Sequence, residues 1–213
     1  MILVNLPGFG GSSSVGPSIG RIADRIAALF EKLELTPDTD VLGNGFGGFV
    51  AGMLAIRHGS RFDRLVLSNT GAGFTESGKA AFFTMAARVR EHGMEGVVDI
   101  AMKRLFPDDY IADNADTIEE RRQRLLRNDP ERFAQACLAL AALDMREDIG
   151  GIRNPALVLV GSLDTATPPA MSQELARLLP GSRYAELEGC GHAPMIQAPA
   201  AFVTTVTDFL RRA

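Results

Sequence analysis

The stretch Asp40-Val41-Leu42-Gly43-Asn44-Gly45-Phe46-Gly47-Gly48 decides how the rest of the chain is read. A short apolar run with the look of a strand passes directly into a turn crowded with glycine. An Ala-rich helix follows, carrying Phe49, Val50, Met53 and Leu54. Strand, tight turn and helix without a spacer is the local unit of a parallel α/β sheet. Downstream, Arg64 to Asn69 is a second apolar run, closed by Thr70-Gly71. Upstream, Ile2 to Asn5 reads as a buried strand stopped by Pro7-Gly8, followed by a polar loop through Ser12, Ser13 and Ser14. From Pro17 the spacing becomes helical, with Ile19, Ile22, Ile26, Leu29, Phe30 and Leu33 on one stripe. The order strand, helix, strand, helix, strand implies right-handed crossovers between parallel strands.

Between Gly73 and Asp148 the pattern changes. No strand is expected there, and the apolar residues recur at helical spacing (Phe82, Phe83, Met85; Val97, Val98, Ile100; Phe133, Cys137, Leu138). Alternation resumes with Pro155 to Gly161, a helix from about Ala170 to Leu179, a strand from Arg183 to Leu187 and a closing amphipathic helix. The expected organisation is a core in two pieces, 1–72 and 149–213, with a helical cap at 73–148 inserted between them. The charge-dense run Glu119 to Arg127 reads as a solvated helix face.

Composition narrows the functional classes. The chain has 213 residues, 46% hydrophobic and 23% charged, a globular balance. A net charge of -4 argues against nucleic acid as the main partner. Apolar runs fall short of a membrane span, and Met1 to Asn5 lacks the basic start of a signal peptide. Two cysteines, Cys137 and Cys190, suit a reducing compartment, so a cytoplasmic location is expected.

Four segments together resemble the α/β-hydrolase family. Leu6-Pro7-Gly8-Phe9-Gly10-Gly11-Ser12 is similar to the loop after the family's fourth strand, and Leu42 to Gly48 to its nucleophile elbow. Gly161-Ser162-Leu163-Asp164, with Thr167-Pro168-Pro169, and Gly189-Cys190-Gly191-His192 are similar to the acid and base loops. Their order along the chain is the family's order. Within the family the likeness is to lactonases of the 3-oxoadipate enol-lactone type and to C–C hydrolases of ring-cleavage products. The resemblance implies a mostly parallel sheet with helices on both faces and a helical cap. It also implies a start at the family's fourth strand, hence an N-terminally truncated fold. A fragment or misassigned start, a partner supplying the missing strands, and a sheet closed over the gap are the three explanations, the first preferred. Uncovered strand edges would make the chain a homo-oligomer or the client of a partner that covers them.

The resemblance also assigns roles. His192 is the general base and Asp164 its orienting carboxylate. The elbow of active members is Gly-x-Ser-x-Gly, but here Gly45 stands at the nucleophile position and offers no hydroxyl. The Phe46 N–H would be one oxyanion donor, with no candidate for the second, and Asn44 and Phe9 would meet the substrate. No metal and no cofactor are implied. The ligand would be a small apolar ester, lactone or diketone. Loss of serine predicts weak or absent serine-hydrolase activity; a ligand-binding module, or a cyclase or lyase using the His192–Asp164 dyad, are the alternatives.

Other features carry less. Gly43-x-Gly45-x-x-Gly48 matches a dinucleotide-binding fingerprint, but the next strand ends Leu67-Ser68-Asn69-Thr70 without the acidic residue a ribose requires. Cys190 lies on the base loop and not on the elbow, Cys137 in an apolar stripe, and His58 and His92 have no metal-ligand spacing.

Overall fold

A computed structural model describes residues 1–211. Four parallel strands form one sheet in the order β1 (Val41–Asn44), β2 (Leu65–Ser68), β3 (Ala156–Gly161), β4 (Arg183–Leu187). Helix α1 (Ile19–Lys32) precedes β1, and α2 (Phe46–His58) links β1 to β2. Five helices separate β2 from β3: α3 (Glu76–His92), α4 (Glu95–Leu105), α5 (Asp108–Asp113), α6 (Ala115–Leu126) and α7 (Pro130–Ala141). Helix α8 (Pro169–Leu178) joins β3 to β4, and α9 (Pro194–Gln197) and α10 (Pro199–Leu210) close the chain.

Local chemistry accounts for the boundaries. The Ser18 hydroxyl accepts from the Arg21 N–H and starts α1, whose buried stripe is Ile19, Ile22, Ala23, Ile26, Ala27 and Phe30. Thr75 caps α3 in the same way, and Asp129, followed by Pro130 in the first turn, caps α7. Between Gly73 and Asp148 the only sheet-like feature among the described residues is an isolated antiparallel bridge from Gly73 to Asp144.

The two central strands β2 and β3 are buried on both faces, as the interior of a parallel sheet requires. Side chains alternate along β2 and β3. Leu65, Leu67, Ala156 and Val158 join a large cluster with α1, α2, α8 and the inserted helices. Val66, Leu157 and Leu159 turn the other way, onto Phe202, Val206 and Phe209 of α10.

Residues 2–5 do not form the expected strand. They carry strand-forming side chains, yet Ile2, Leu3 and Val4 are 56%, 85% and 42% exposed. A strand exists only through ladder hydrogen bonds to a neighbour, and β1 pairs with β2 alone among the described residues. An apolar run without an adjacent strand has nothing to pair with and forms no strand. For the same reason β1 is an edge, and Leu42 is 44% exposed on its uncovered side. The other strands, and helices α1 and α8, fall within two residues of the bounds expected from the sequence.

Candidate active site

All four strands run the same way, so their C-terminal ends lie in one row, the place where open α/β sheets put their chemistry. Gly45 follows β1, Asn69 follows β2, Asp164 follows β3 and His192 follows β4.

The turn after β1 is a packed elbow. Gly45 sits at φ 54°, ψ -120°, in the left-handed half of the backbone map that glycine adopts without strain. Its N–H donates to the Ser68 carbonyl at 3.0 Å, and its own carbonyl accepts from Gly48 and Phe49, opening α2. A Cβ on Gly43 would stand 2.1 Å from the Gly47 carbonyl oxygen, and one on Gly48 would stand 2.7 Å from Thr70. These two glycines let strand and helix close on each other. A Cβ on Gly45 would point at His192, 2.6 Å from Nε2. The residue that the turn presents to His192 is therefore glycine.

The His192 imidazole is held from behind. His192 Nδ1 lies 2.8 Å from Asp164 Oδ2 and 3.2 Å from the Thr167 hydroxyl. Its backbone N–H donates to the Leu105 carbonyl at the end of α4. Nε2 has no hydrogen-bond partner among the described residues and faces Gly45. The Asp164 side chain is fully buried. Its Oδ2 accepts from His192, from Asn69 Nδ2 at 2.7 Å and from the Thr167 hydroxyl at 2.8 Å. Its Oδ1 accepts from the backbone N–H groups of Ala166 and Thr167, at 2.8 and 3.0 Å. Burial pushes this carboxyl up, but the hydrogen bond and charge of His192 and the bonds from Asn69 and Thr167 outweigh it and hold the group below its ordinary value. An anionic Asp164 keeps the proton of a neutral imidazole on Nδ1 and leaves Nε2 as the acceptor.

The remaining sequence-identified residues fall into two groups. Phe9 and Phe46 meet edge to face, 5.8 Å between centroids, beside the elbow. They share the lining of a small cleft with Ser14, Arg132 and Gln135. As the first residue of α2, Phe46 presents an N–H that the helix itself cannot use. Asn44 is engaged within the protein, accepting from the Ser68 hydroxyl at 2.9 Å and donating to the His192 carbonyl at 3.2 Å. Its amide ties the elbow to the loop that carries His192.

Both cysteines are buried, and burial raises each thiol, Cys137 to about 12, so neither carries a ready thiolate near neutrality. His58 is bonded to Asp24 at 2.8 Å, alongside Arg57, and His92 is exposed. Sequence reasoning missed Asn69 and Thr167. Thr167 lay within a quoted motif. The signal for Asn69 was an Asn at a strand end, a residue type that tolerates positive φ and hydrogen-bonds locally.

Residues 1–205 match the description "Alpha/beta hydrolase family". A 3-oxoadipate enol-lactonase of Acinetobacter baylyi is 30% identical over 214 aligned positions, covering 100% of this chain and 79% of its own length. A pimeloyl-acyl-carrier-protein methyl ester esterase of Aromatoleum aromaticum is 29% identical, over 97% of this chain and 85% of the relative. The crystal structure of the enol-lactonase from Burkholderia xenovorans superposes with a TM-score of 0.90 at 32% identity, over 96% of this chain and 78% of that one.

Proposed function

This chain belongs to the alpha/beta hydrolase family, and we propose that it binds a small, largely apolar ester, lactone or diketone but has lost the covalent serine step. One observation carries the reading: the position that faces His192 Nε2 is Gly45, which has no hydroxyl to deliver. The five helices between β2 and β3 act in this proposal as the cap that shapes the ligand pocket. Phe9 and Phe46 offer it an apolar wall.

The ordered dyad supports retained proton chemistry. With Nδ1 held by Asp164, Nε2 can take a proton from a bound water or directly from an acidic C–H of the ligand. In the first case water attacks the carbonyl carbon and the proton passes to Nε2. The Phe46 N–H then stabilises the developing oxyanion, and the protonated imidazole returns its proton to the leaving oxygen. Without an acyl-enzyme the gain over uncatalysed hydrolysis is modest, because loss of a triad member leaves about 10³–10⁴-fold.

The test is turnover of aryl esters and enol-lactones by the native chain, Gly45→Ser and His192→Ala. The native chain is expected to be slow, with the residual rate lost in His192→Ala. Restoring the hydroxyl is expected to raise kcat by at least tenfold. The new Cβ must first displace His192 Nε2 from 2.6 Å, and Ser must accept φ 54°, so the gain stays below that of an evolved serine enzyme. A native chain that accumulates a trappable acyl-enzyme would overturn the loss of the covalent step. Binding of these ligands with no turnover in any variant would favour a non-catalytic binding module.

A further inference from the structure

We infer that Asn69 is a positioning residue of the dyad, a buried amide clamp that holds the acid loop and the base loop together at the end of the central strand β2. Three observations converge on it. Asn69 is 0% exposed and is one of two non-glycine residues with positive φ among the described residues, at 49°. Its Nδ2 donates to Asp164 Oδ2 at 2.7 Å and to the Gly191 carbonyl, next to His192, at 3.1 Å. Its Oδ1 lies 3.0 Å from the Ser68 hydroxyl, whose single proton is shared between it and Asn44 Oδ1 on the elbow strand at 2.9 Å. One side chain thus connects the ends of β1 and β2 with the loops after β3 and β4.

The backbone explains why the amide arrives there. Left-handed φ is sterically costly for most side chains and tolerated by Asn and Asp. Asp in this place would set a second carboxylate against Asp164 and face the Gly191 carbonyl oxygen with another acceptor. Gly would satisfy the turn but supply no donor. Only the amide meets the backbone requirement and also delivers two N–H bonds, one to an anion and one to a carbonyl. The titratable groups near the Asp164 carboxylate are the His192 imidazole and, one carbonyl away, the Arg104 guanidinium of α4, which donates to the Ala166 carbonyl at 3.2 Å. Of the two bonds to carboxamide nitrogen, the one to Asp164 is the shorter and is charge-assisted.

This inference rests on the dyad being the working centre, as proposed above, but its test needs no turnover. Asp164 is titrated through its side-chain carboxyl carbon by NMR in the full chain, as the native protein, Asn69→Gly and Asn69→Asp, with thermal melts recorded beside each. A donor bonded to the carboxylate stabilises only the anion. Asn69→Gly, which keeps the backbone relaxed at φ 49°, is therefore expected to weaken Asp164 as an acid by at least threefold. Asn69→Asp is expected to weaken it further, through like charge. If Asn69 serves only the turn, Asn69→Gly leaves the Asp164 titration within twofold of native, and the inference fails. Should Asn69→Asp not fold, the glycine variant decides alone. If esterase and lactonase assays are negative while the titration moves as expected, the proposed function fails and the clamp stands.

Discussion

Glycines in the elbow show how closely single atoms constrain this chain. Gly43 and Gly47 lie four positions apart, but only one is sterically obligatory. A Cβ on Gly43 meets a carbonyl oxygen at 2.1 Å, whereas one on Gly47 meets nothing within 4 Å. Gly43→Ala is expected to destabilise by on the order of 3 kcal/mol or prevent folding, since the obstacle is backbone and cannot rotate away. Gly47→Ala, inside α2, is expected to be neutral or stabilising by roughly 0.5–1 kcal/mol; melting of the two variants checks both. Asp164 has a pH signature. Its folded-state pKa lies below the ordinary value, so the stability it contributes is present above its unfolded pKa of about 3.9 and is lost as pH falls through the lower folded value. Denaturation of native protein and Asp164→Asn should therefore differ most near neutrality, and the difference should shrink below about pH 4. At this scale the sequence revealed the residues that belong to motifs: Gly45, Asp164 and His192. Asn69 stayed hidden because its contacts exist only where loops from different strands meet.

Elements were legible wherever periodicity and punctuation agreed. Strand β3 and helices α1 and α10 come from uninterrupted apolar patterns, and Ser18 and Asp129 mark helix starts as side-chain caps do. The failure at residues 2–5 has the opposite cause: propensity was present and a partner strand was not. Some junctions are held by single side chains that patterns cannot expose. Asn154, just before β3, reaches the carbonyls of Gly59, Phe62 and Asp63 at 2.9, 2.8 and 2.8 Å. It fastens the turn before β2 to the entrance of β3. Asn154→Ala leaves these acceptors short of a donor and is expected to cost about 1–3 kcal/mol, read as a shift in denaturant midpoint.

At the scale of the molecule, the two edges of the sheet are not equivalent. Strand β4 carries Arg183 and Glu186 and is largely exposed, a charged edge that resists pairing. Strand β1 presents Leu42, and the apolar residues Met1 to Val4 are exposed in the same chain. Self-association that grows with concentration is expected, and Leu42→Lys should reduce it in light scattering; a monomer at all concentrations in the native chain would argue against it. The sequence by itself determined the alternation of strand and helix, the run of helices between β2 and β3, and the family. These are properties of local pattern and of order along the chain, which tertiary contacts need not be known to read. Only the tertiary structure decided that residues 2–5 go unpaired, that Asn44 is tied to the base loop, and that His192 Nε2 closes on Gly45. It alone placed Asn69 against Asp164, 95 positions away. Pairing, burial and hydrogen bonding depend on which distant segments become neighbours, and that neighbourhood is set by the packing of the whole sheet.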